Sequence, residues 1–273
     1  MPHLARTTDG TALLGDGDRF VPLAAAEPSL SSVSDALPRA AAGTLPEWKG
    51  APAKARPASS FSFATPLETP GKLWGIGLNY ADHAADLRED WPEEPASFMK
   101  PATAATGPEG PITLPPRELS DRVTAEAELG VVIGRTCSDV GREEAEDVVA
   151  GYVPVIDMTA EDILERNPRF LTRSKSFDSF IVIGPWIATT DEVESLDDVT
   201  VQTIVDDEVV AENEVRNMMT PPRDLVSFHS RVMTLSPGDV ISTGTPGAYP
   251  ITPGDRVTAR VEGVGEVSAD VVR

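Results

Sequence analysis

Two glutamates, separated by one residue, stand at the start of an apolar segment in RVTAEAELGVVIG, residues 122–134. The apolar run that follows them predicts a buried β-strand. Because side chains alternate between the faces of a strand, Glu126 and Glu128 would share a face, with their backbone positions roughly 7 Å apart. Two carboxylates on a buried face repel each other and lose hydration unless a cation compensates them. The pattern therefore fits a metal site or, at an exposed strand end, two solvated carboxylates.

A third carboxylate, Asp157, ends the apolar stretch VPVIDM. A carboxylate at the end of a buried strand is a common site residue, and it is equally common as a turn or helix cap. With Glu126 and Glu128 it would complete an all-oxygen ligand set, which suits Mg²⁺ or Mn²⁺. Zinc fits poorly, because the chain has one cysteine, Cys137, and its three histidines are not paired.

A histidine and a lysine could add acid–base and electrostatic chemistry. His83 and Asp86 are three residues apart in NYADHAAD, so on a helix they could touch, as a general base with its orienting carboxylate or as a surface pair. Lys175 precedes an apolar strand in TRSKSFDSF. It could stabilise an anionic oxygen, form a Schiff base, or lie at the surface with its stem packed. His229 has helical spacing in LVSFHSRVM and is interpreted as structural.

The elements that must position these residues are mostly strands. Strand candidates include KLWGIGLNY, YVPVID, IVIGPWIA, VTVQTIV, DVISTG, DRVTARV and EVSADVV. Helical patterns occur in SSVSDALPRAAAG, NYADHAADLRED and GREEAEDVVAG, and in TAEDILER and TPPRDLVSFHSRVMTL, for which Thr159 and Thr220 are the predicted caps. Strands with a few short helices indicate a mixed, β-rich α+β fold rather than a doubly wound parallel sheet.

A change in composition near residue 60, from a Pro/Ala-rich segment to repeated strand patterns, predicts that the chain has two regions. Residues 1–60 form a small N-terminal region and linker, with two short strands around the Asp-Gly turn of LLGDGDRFVPL and a Pro/Ala-rich end. Residues 61–273 form the main, catalytic domain. The chain carries no G-x-S-x-G, Walker A or H-E-x-x-H motif, which disfavours a serine hydrolase, an NTPase or a zinc protease.

The net charge of the chain limits the kinds of binding partner that it can have. The chain of 273 residues has 44 acidic and 23 basic residues, a formal net charge of −21. This surface disfavours nucleic acid and anionic membranes, because it lacks a basic footprint. No apolar run approaches the roughly 20 residues of a membrane span, so a cytoplasmic protein is expected. Acidic excess with only five lysines also suggests a high-salt cytoplasm.

Several motifs in one order resemble the fumarylacetoacetate hydrolase superfamily. They cover roughly residues 70–273 and are GIGLNYADHA, SFMKP, AEAELGVVIG, GYVPVIDMTAED, SKSFDSF, LSPGDVISTGTP and GDRVTARVEGVGEV. The resemblance implies a β-rich core of the C-terminal type found in that family, with a small N-terminal appendage. It also implies a homodimer.

The resemblance assigns roles residue by residue. The metal-binding carboxylates fall on Glu126, Glu128 and Asp157, with Mg²⁺ or Mn²⁺ as cofactor. The family's lysine falls on Lys175, which would contact substrate and take part in catalysis. The Thr-Gly-Thr-Pro loop at 243–246 would bind substrate through Gly244 and Thr245.

The family's catalytic histidine falls on His83, and three positions nearby or downstream depart from the pattern. Asp86 stands where glutamate is common, so Asp86 or Glu89 is the predicted partner of His83. Glu161 occupies the arginine position of T-A-R-D, and Ala211 the glutamine position of N-G-E-x-x-Q. These changes would alter polar groups near the substrate. The resemblance therefore does not identify the substituent that the substrate carries.

The leading hypothesis is metal-dependent hydrolysis of a C–C bond in a 2,4-diketo acid of the acylpyruvate type, giving pyruvate and a carboxylic acid. The alternative is decarboxylation of an oxaloacetate-like acid or keto–enol isomerisation of a dienoate, through the same metal-stabilised enolate. A third hypothesis is a metal-binding scaffold without catalysis. The scaffold would leave His83 and Lys175 without a purpose beside three carboxylates.

Overall fold

The structure is a computed structural model that describes residues 2–47, 54–80, 93–193 and 195–273, without the side chain of Glu192. Strands dominate the described part of the chain. They are β1 His3–Thr7, β2 Ala12–Gly15, β3 Arg19–Pro22, β4 Arg56–Pro57, β5 Phe63–Ala64, β6 Leu73–Gly77, β7 Ala96–Lys100, β8 Ala105–Thr106, β9 Ile112–Thr113, β10 Val123–Ile133, β11 Val149–Ala160, β12 Ile181–Ile183, β13 Trp186–Thr189, β14 Thr200–Val205, β15 Glu208–Glu214, β16 Val240–Ser242, β17 Tyr249–Ile251, β18 Arg256–Val261 and β19 Gly265–Val272.

The helices are short and lie between strands. The α-helices are α1 Leu23–Ala26, α2 Val33–Ala41, α3 Glu161–Arg166, α4 Leu171–Lys175 and α5 Pro222–Val232. Segments of 3₁₀-helix span Ala58–Ser60, Ala102–Ala104, Arg142–Val148, Pro168–Phe170, Thr190–Glu192, Leu196–Asp198 and Val215–Asn217. This is the strand-rich α+β fold that the sequence predicts.

A large sheet curls until it closes on itself. Its strands follow the order β4-β3-β2-β1-β13-β11-β10-β16-β6-β7. The chain passes from β7 through a 3₁₀ turn to β8, which pairs in parallel with β12, and β12 pairs with β11. The strands β11, β10, β16, β6 and β7 therefore surround an interior that β8 and β12 close from the far side.

A second, smaller sheet covers one face of this curl. Its order is β15-β14-β18-β19-β9. The main core lies between the two sheets, where alternate residues of β10 pack against valines and alanines of β14, β18 and β19. Alternation therefore directs the odd-numbered residues of β10 into this core and the even-numbered ones into the enclosed interior.

The N-terminal strands are part of the large sheet. β1 pairs with β13, with Leu4 opposite Ile187, and β5 pairs with β1. Leu4 and Leu37 share a core cluster with Val153 and Ile183 of the later part of the chain. The division of the chain at residue 60 stays a prediction, and the sheet itself runs across it.

Three local predictions need correction. GREEAEDVVAG, expected to be a short helix, takes the 3₁₀ rather than the α form over Arg142–Val148, and β11 follows directly at Val149. Thr159 does not cap α3, since it still belongs to β11 and Ala160 holds the cap position. Thr220 does not cap α5, which follows Pro221 without a side-chain cap. The predicted strands are present. Within the described parts of the chain, no helix has the length and apolar character of a membrane span.

Candidate metal and substrate site

The strand β10 positions the two glutamates as alternation predicts. All eleven of its residues are buried, and Glu128 is 1% and Glu126 is 7% exposed. On the opposite face, Ala127 and Leu129 pack into the main core. The two carboxylates therefore point into the enclosed interior of the large sheet and are not a solvated strand end.

Asp157 reaches the same interior from the neighbouring strand. It is the direct partner of Glu126 in the antiparallel ladder between β10 and β11, and it is 0% exposed. Directly opposed residues of antiparallel strands project on the same face. One oxygen from each of Glu126, Glu128 and Asp157 lies within 4.8 Å of the others. Three buried carboxylate oxygens at this spacing fit a hard divalent cation such as Mg²⁺ or Mn²⁺.

Lys175 ends α4 and enters the carboxylate cluster. Its Nζ donates hydrogen bonds to Glu126 Oε2 at 2.9 Å and to Asp157 Oδ2 at 3.1 Å. The ammonium also lies 4.8 Å from the ring centroid of Phe98, a cation–π distance. That ring fills the space over Gly75, where a Cβ would come within 2.2 Å of it. The absence of a side chain at Gly75 thus leaves room for the Phe98 ring beside Lys175.

A second lysine, Lys100 at the end of β7, was missed by the sequence interpretation. Its Nζ forms an ion pair with Asp157 and donates to the carbonyl oxygens of Met158 at 3.0 Å and Phe180 at 2.6 Å. An ammonium has three donors, and all three are used. The contacts join β7 to β11 and to the residue before β12, so Lys100 closes the curled sheet at the carboxylate cluster.

The electrostatics of the cluster depend on burial. Burial, and then the charges of Asp157 and Glu126, raise the pKa of Glu128 to about 8. Burial lowers the pKa of Lys100 to about 8 against the opposing effect of Asp157. Burial opposes the charge on Lys175 too, but Asp157, Glu126 and Glu128 outweigh it and raise its pKa. Two ammonium groups thus face three buried carboxylates, and a bound cation would favour the ionised form of Glu128.

The Thr-Gly-Thr-Pro loop forms one wall of the site. Gly244 donates its N–H to Glu128 Oε2 at 3.0 Å. Its φ is +98°, and a Cβ there would meet Asn79 at 2.8 Å, so the position requires glycine. The Thr245 hydroxyl donates to the Gly247 carbonyl at 3.0 Å. The loop therefore holds Glu128, and the substrate contacts predicted for Gly244 and Thr245 stay predictions.

Asn79 fixes this loop and was also missed. Its Nδ2 donates to the Thr243 carbonyl at 2.7 Å and to the Thr220 carbonyl at 3.0 Å, while its Oδ1 accepts the Thr220 N–H at 2.8 Å. The side chain is 3% exposed. A buried asparagine after the apolar strand of KLWGIGLNY was the available signal, because a buried amide must find partners.

Two of the three histidines, His83 and His229, were interpreted from the sequence. His83, Asp86 and Glu89 lie outside the described residues, so their predicted acid–base role stays a prediction. His229 is fully buried in α5, where its Nδ1 contacts the Leu225 carbonyl at 2.7 Å and its Nε2 contacts Ser97 Oγ at 2.7 Å. Burial lowers its pKa. These contacts agree with the structural interpretation.

A separate cavity lies on the other face of β10. Its volume is about 200 Å³, and its lining includes Val131, Tyr152, Leu196 and Arg223. Val131 is odd-numbered and so projects away from Glu126 and Glu128. None of the predicted site residues that the structure describes lines this cavity. The chemistry of the carboxylate cluster is therefore not built around it.

Fold and site together define a strand-rich α+β protein with a buried carboxylate and ammonium cluster suited to a divalent cation. The model of the fumarylacetoacetate (FAA) hydrolase C-terminal family matches residues 72–272, and the chain belongs to this family. The resemblance seen in the sequence motifs is thereby confirmed.

Relatives in this family carry different activities in their names. A maleylpyruvate hydrolase from Sphingobium sp. SYK-6, solved with manganese (II) ion and pyruvate, has a TM-score of 0.81 and 31% identity, covering 99% of this chain and 98% of that one. A 5-carboxymethyl-2-hydroxymuconate delta-isomerase from Mycobacterium smegmatis has a TM-score of 0.79 and 34% identity, covering 99% of each chain. A 4-hydroxyphenylacetate degradation bifunctional isomerase/decarboxylase from Salmonella dublin is 37% identical over 232 residues, which are 82% of this chain and 54% of that protein.

Proposed function

We propose that this protein is a divalent-metal-dependent hydrolase that cleaves a C–C bond in a 2,4-diketo acid of the acylpyruvate type. The products would be pyruvate and a carboxylic acid. The observation that carries the proposal is the cluster of three buried carboxylates, with Lys175 Nζ within hydrogen-bonding distance of two of them. Membership of the FAA hydrolase family and the manganese and pyruvate in the similar maleylpyruvate hydrolase support it.

Glu126, Glu128 and Asp157 would hold Mg²⁺ or Mn²⁺. When bound, the cation would act as a Lewis acid on the 1-carboxylate and 2-oxo group of the substrate. The enclosed interior keeps these groups away from bulk water, which strengthens electrostatic interactions there.

The other residues would serve proton transfer and charge stabilisation. His83, oriented by Asp86 or Glu89, would take a proton from water as the water oxygen attacks the 4-carbonyl. Breaking of the C3–C4 bond leaves its electron pair on the pyruvate fragment as an enolate, which is then protonated at C3. The Lys175 ammonium would stabilise that negative charge. Gly244 and Thr245 would orient the substrate.

The alternative is decarboxylation or keto–enol isomerisation of an oxaloacetate-like or dienoate acid. Two observations favour it: the isomerase and decarboxylase names among the relatives, and Asp86 in place of glutamate beside His83. Neither reaction needs water to attack a carbonyl, so a weaker acid–base pair would suffice.

The proposal also includes a cytoplasmic location and a homodimeric state.

The first experiment measures pyruvate release, coupled to lactate dehydrogenase, from a panel of 2,4-diketo acids with Mg²⁺ or Mn²⁺. EDTA, His83→Ala and Glu126→Gln should each abolish release. Glu143→Gln, an exposed glutamate in a 3₁₀ turn, is the matched control and should leave it unchanged. Silence across the panel with CO₂ loss from oxaloacetate would move the assignment to the decarboxylase. Bound metal with no turnover of any 2-oxo acid would indicate the scaffold.

A further inference from the structure

A fourth carboxylate, Glu161, continues the polar face of β11 beyond the metal cluster. Asp157 and Thr159 lie two residues apart in β11, so their side chains leave the strand on one side, and Glu161 follows as the first residue of α3. The Thr159 hydroxyl donates to Glu126 Oε1 at 2.9 Å. A hydrogen bond from Thr124 of β10, rather than strand alternation, places the Glu161 carboxylate beside this face.

The neighbouring strand β10 repeats this arrangement. Thr124 precedes Glu126 by two residues, and its hydroxyl donates to Glu161 Oε1 at 2.9 Å. The two strands thus form a polar strip of alternating carboxylates and hydroxyls that leads from Glu128 through Glu126 to Glu161. Glu128 is fully buried, whereas Glu161 is only partly buried, so the strip runs outward from the cluster.

Glu161 has no cationic partner in contact within the described parts of the chain. Arg122, whose carbonyl accepts the Glu161 N–H, forms its ion pair with Glu165, and Arg166 of the same helix pairs with Asp162. Lys175 is committed to Glu126 and Asp157. Burial, and then the charge of Glu126, raise the pKa of Glu161, while the Thr124 hydrogen bond and the charges of Lys175 and Arg122 oppose that rise. Oε1 is used by Thr124, so a substrate group would meet the remaining oxygen.

In the proposed function the carboxylate and 2-oxo group of the substrate are held at the cluster, and the polar strip from Glu126 to Glu161 leads from there toward solvent. We propose that Glu161 is a specificity-determining residue that selects 2-oxo acids whose far end is uncharged or donates a hydrogen bond, and rejects those with a second carboxylate. The inference rests on the proposed function for the placement of the substrate head. A second carboxylate would face Glu161 across a partly desolvated gap, where like charges repel.

The test uses Glu161→Gln, which removes the charge while keeping an oxygen for Thr124. Two 2,4-diketo acids of equal length are compared, one ending in a methyl group and the other in a carboxylate. The wild type should favour the methyl-ended acid in kcat/KM by about tenfold or more, mainly through KM. Glu161→Gln should bring the two values together. Glu165→Gln, on the exposed side of α3, is the matched control and should keep the preference.

A binding measurement separates this inference from the proposed reaction. Thermal shifts are recorded with Mn²⁺ and either 2-oxopentanoate or 2-oxoglutarate, which differ only at the far end. The wild type should be stabilised more by 2-oxopentanoate, and the difference should shrink in Glu161→Gln. If that holds while no diketo acid is cleaved, the hydrolase proposal fails and the role of Glu161 stands. Equal preference in wild type and Glu161→Gln, by shift and by turnover, would overturn the role of Glu161.

Discussion

Asp157 is held by two buried lysines that arrive from different parts of the fold. Lys175 comes from a helix C-terminus, and Lys100 comes from the end of β7. A buried ion pair adds little to stability when intact, because desolvation offsets the attraction, but losing one partner leaves an uncompensated charge. Lys100 should therefore contribute most to stability when no metal ion is bound near Asp157.

Lys100→Met should lower the free energy of unfolding of the metal-free protein by about 3 kcal/mol, the typical effect of breaking a buried pair. Mn²⁺ should restore part of this loss, because it supplies positive charge to Asp157 and no longer competes with the Lys100 ammonium. The measurement is the melting temperature with and without Mn²⁺. The shift caused by Mn²⁺ should be larger in Lys100→Met than in the wild type.

Lys72→Met provides the matched control for this prediction. Lys72 Nζ also pairs with a buried aspartate, Asp239, at 2.6 Å, but Asp239 lies outside the carboxylate cluster and also accepts backbone N–H groups of Lys72 and Ser236. The shift caused by Mn²⁺ in Lys72→Met should equal that of the wild type. Identical shifts in all three proteins would show that Lys100 has no electrostatic link to a cation site.

At the residue scale, local sequence predicted some of the site and long-range contacts determined the rest. The shared face of Glu126 and Glu128 follows from alternation alone, and the structure shows it. Lys100 and Asn79 could not be placed, because their partners, such as Asp157 for Lys100 and Thr220 for Asn79, lie far away along the chain. Scarcity was the one available signal for Lys100, which is one of only five lysines.

At the scale of elements, the hairpin between β14 and β15 contains a conformational misfit. Asp206 and Asp207 form its two-residue loop, with φ of +49° and +67°. Positive φ at both positions is the type I′ turn, for which Asn-Gly is preferred. Asp206 is retained by its contact with the Arg256 N–H at 2.9 Å, whereas no hydrogen bond within the described residues uses the Asp207 side chain.

Asp207→Gly should raise the free energy of unfolding by about 0.5 kcal/mol, since relief of the left-handed conformation exceeds the entropy cost of glycine. Denaturant unfolding would measure it. Glu208→Gly, in the adjacent strand and equally exposed, should instead destabilise the protein, because glycine weakens a strand. A loss of stability in Asp207→Gly comparable to that in Glu208→Gly would contradict the assignment of the turn.

Most strands could be predicted from apolar runs, but the closure of the large sheet could not. Closure depends on the parallel pairing of β8 with β12, each only two or three residues long and about 75 residues apart in sequence, a separation that no local pattern records. The 3₁₀ form of Arg142–Val148 could not be predicted either, because a short helical pattern does not distinguish 3₁₀ from α geometry.

At the scale of the whole molecule, the net charge of −21 dominates. Mutual repulsion of surface carboxylates destabilises the compact state, and salt screens it, with a Debye length of about 10 Å at 0.1 M and about 3 Å at 1 M. The melting temperature should therefore rise steeply with KCl. Sucrose, which stabilises without screening, is the control. Full stability without salt would contradict the hypothesis of a high-salt cytoplasm.

The strand β10 lies between the apolar core and the polar interior, and its two faces contribute side chains to one each. Its odd-numbered residues, among them Ala127 and Leu129, belong to the apolar core, while Glu126 and Glu128 belong to the polar interior. A substitution on one face leaves the packing of the other face in place. Side chains along the polar strip can therefore change, as we propose for Glu161 at the start of α3, while the apolar core stays the same. The stability of the fold would then depend little on which substrate the polar face is adapted to bind.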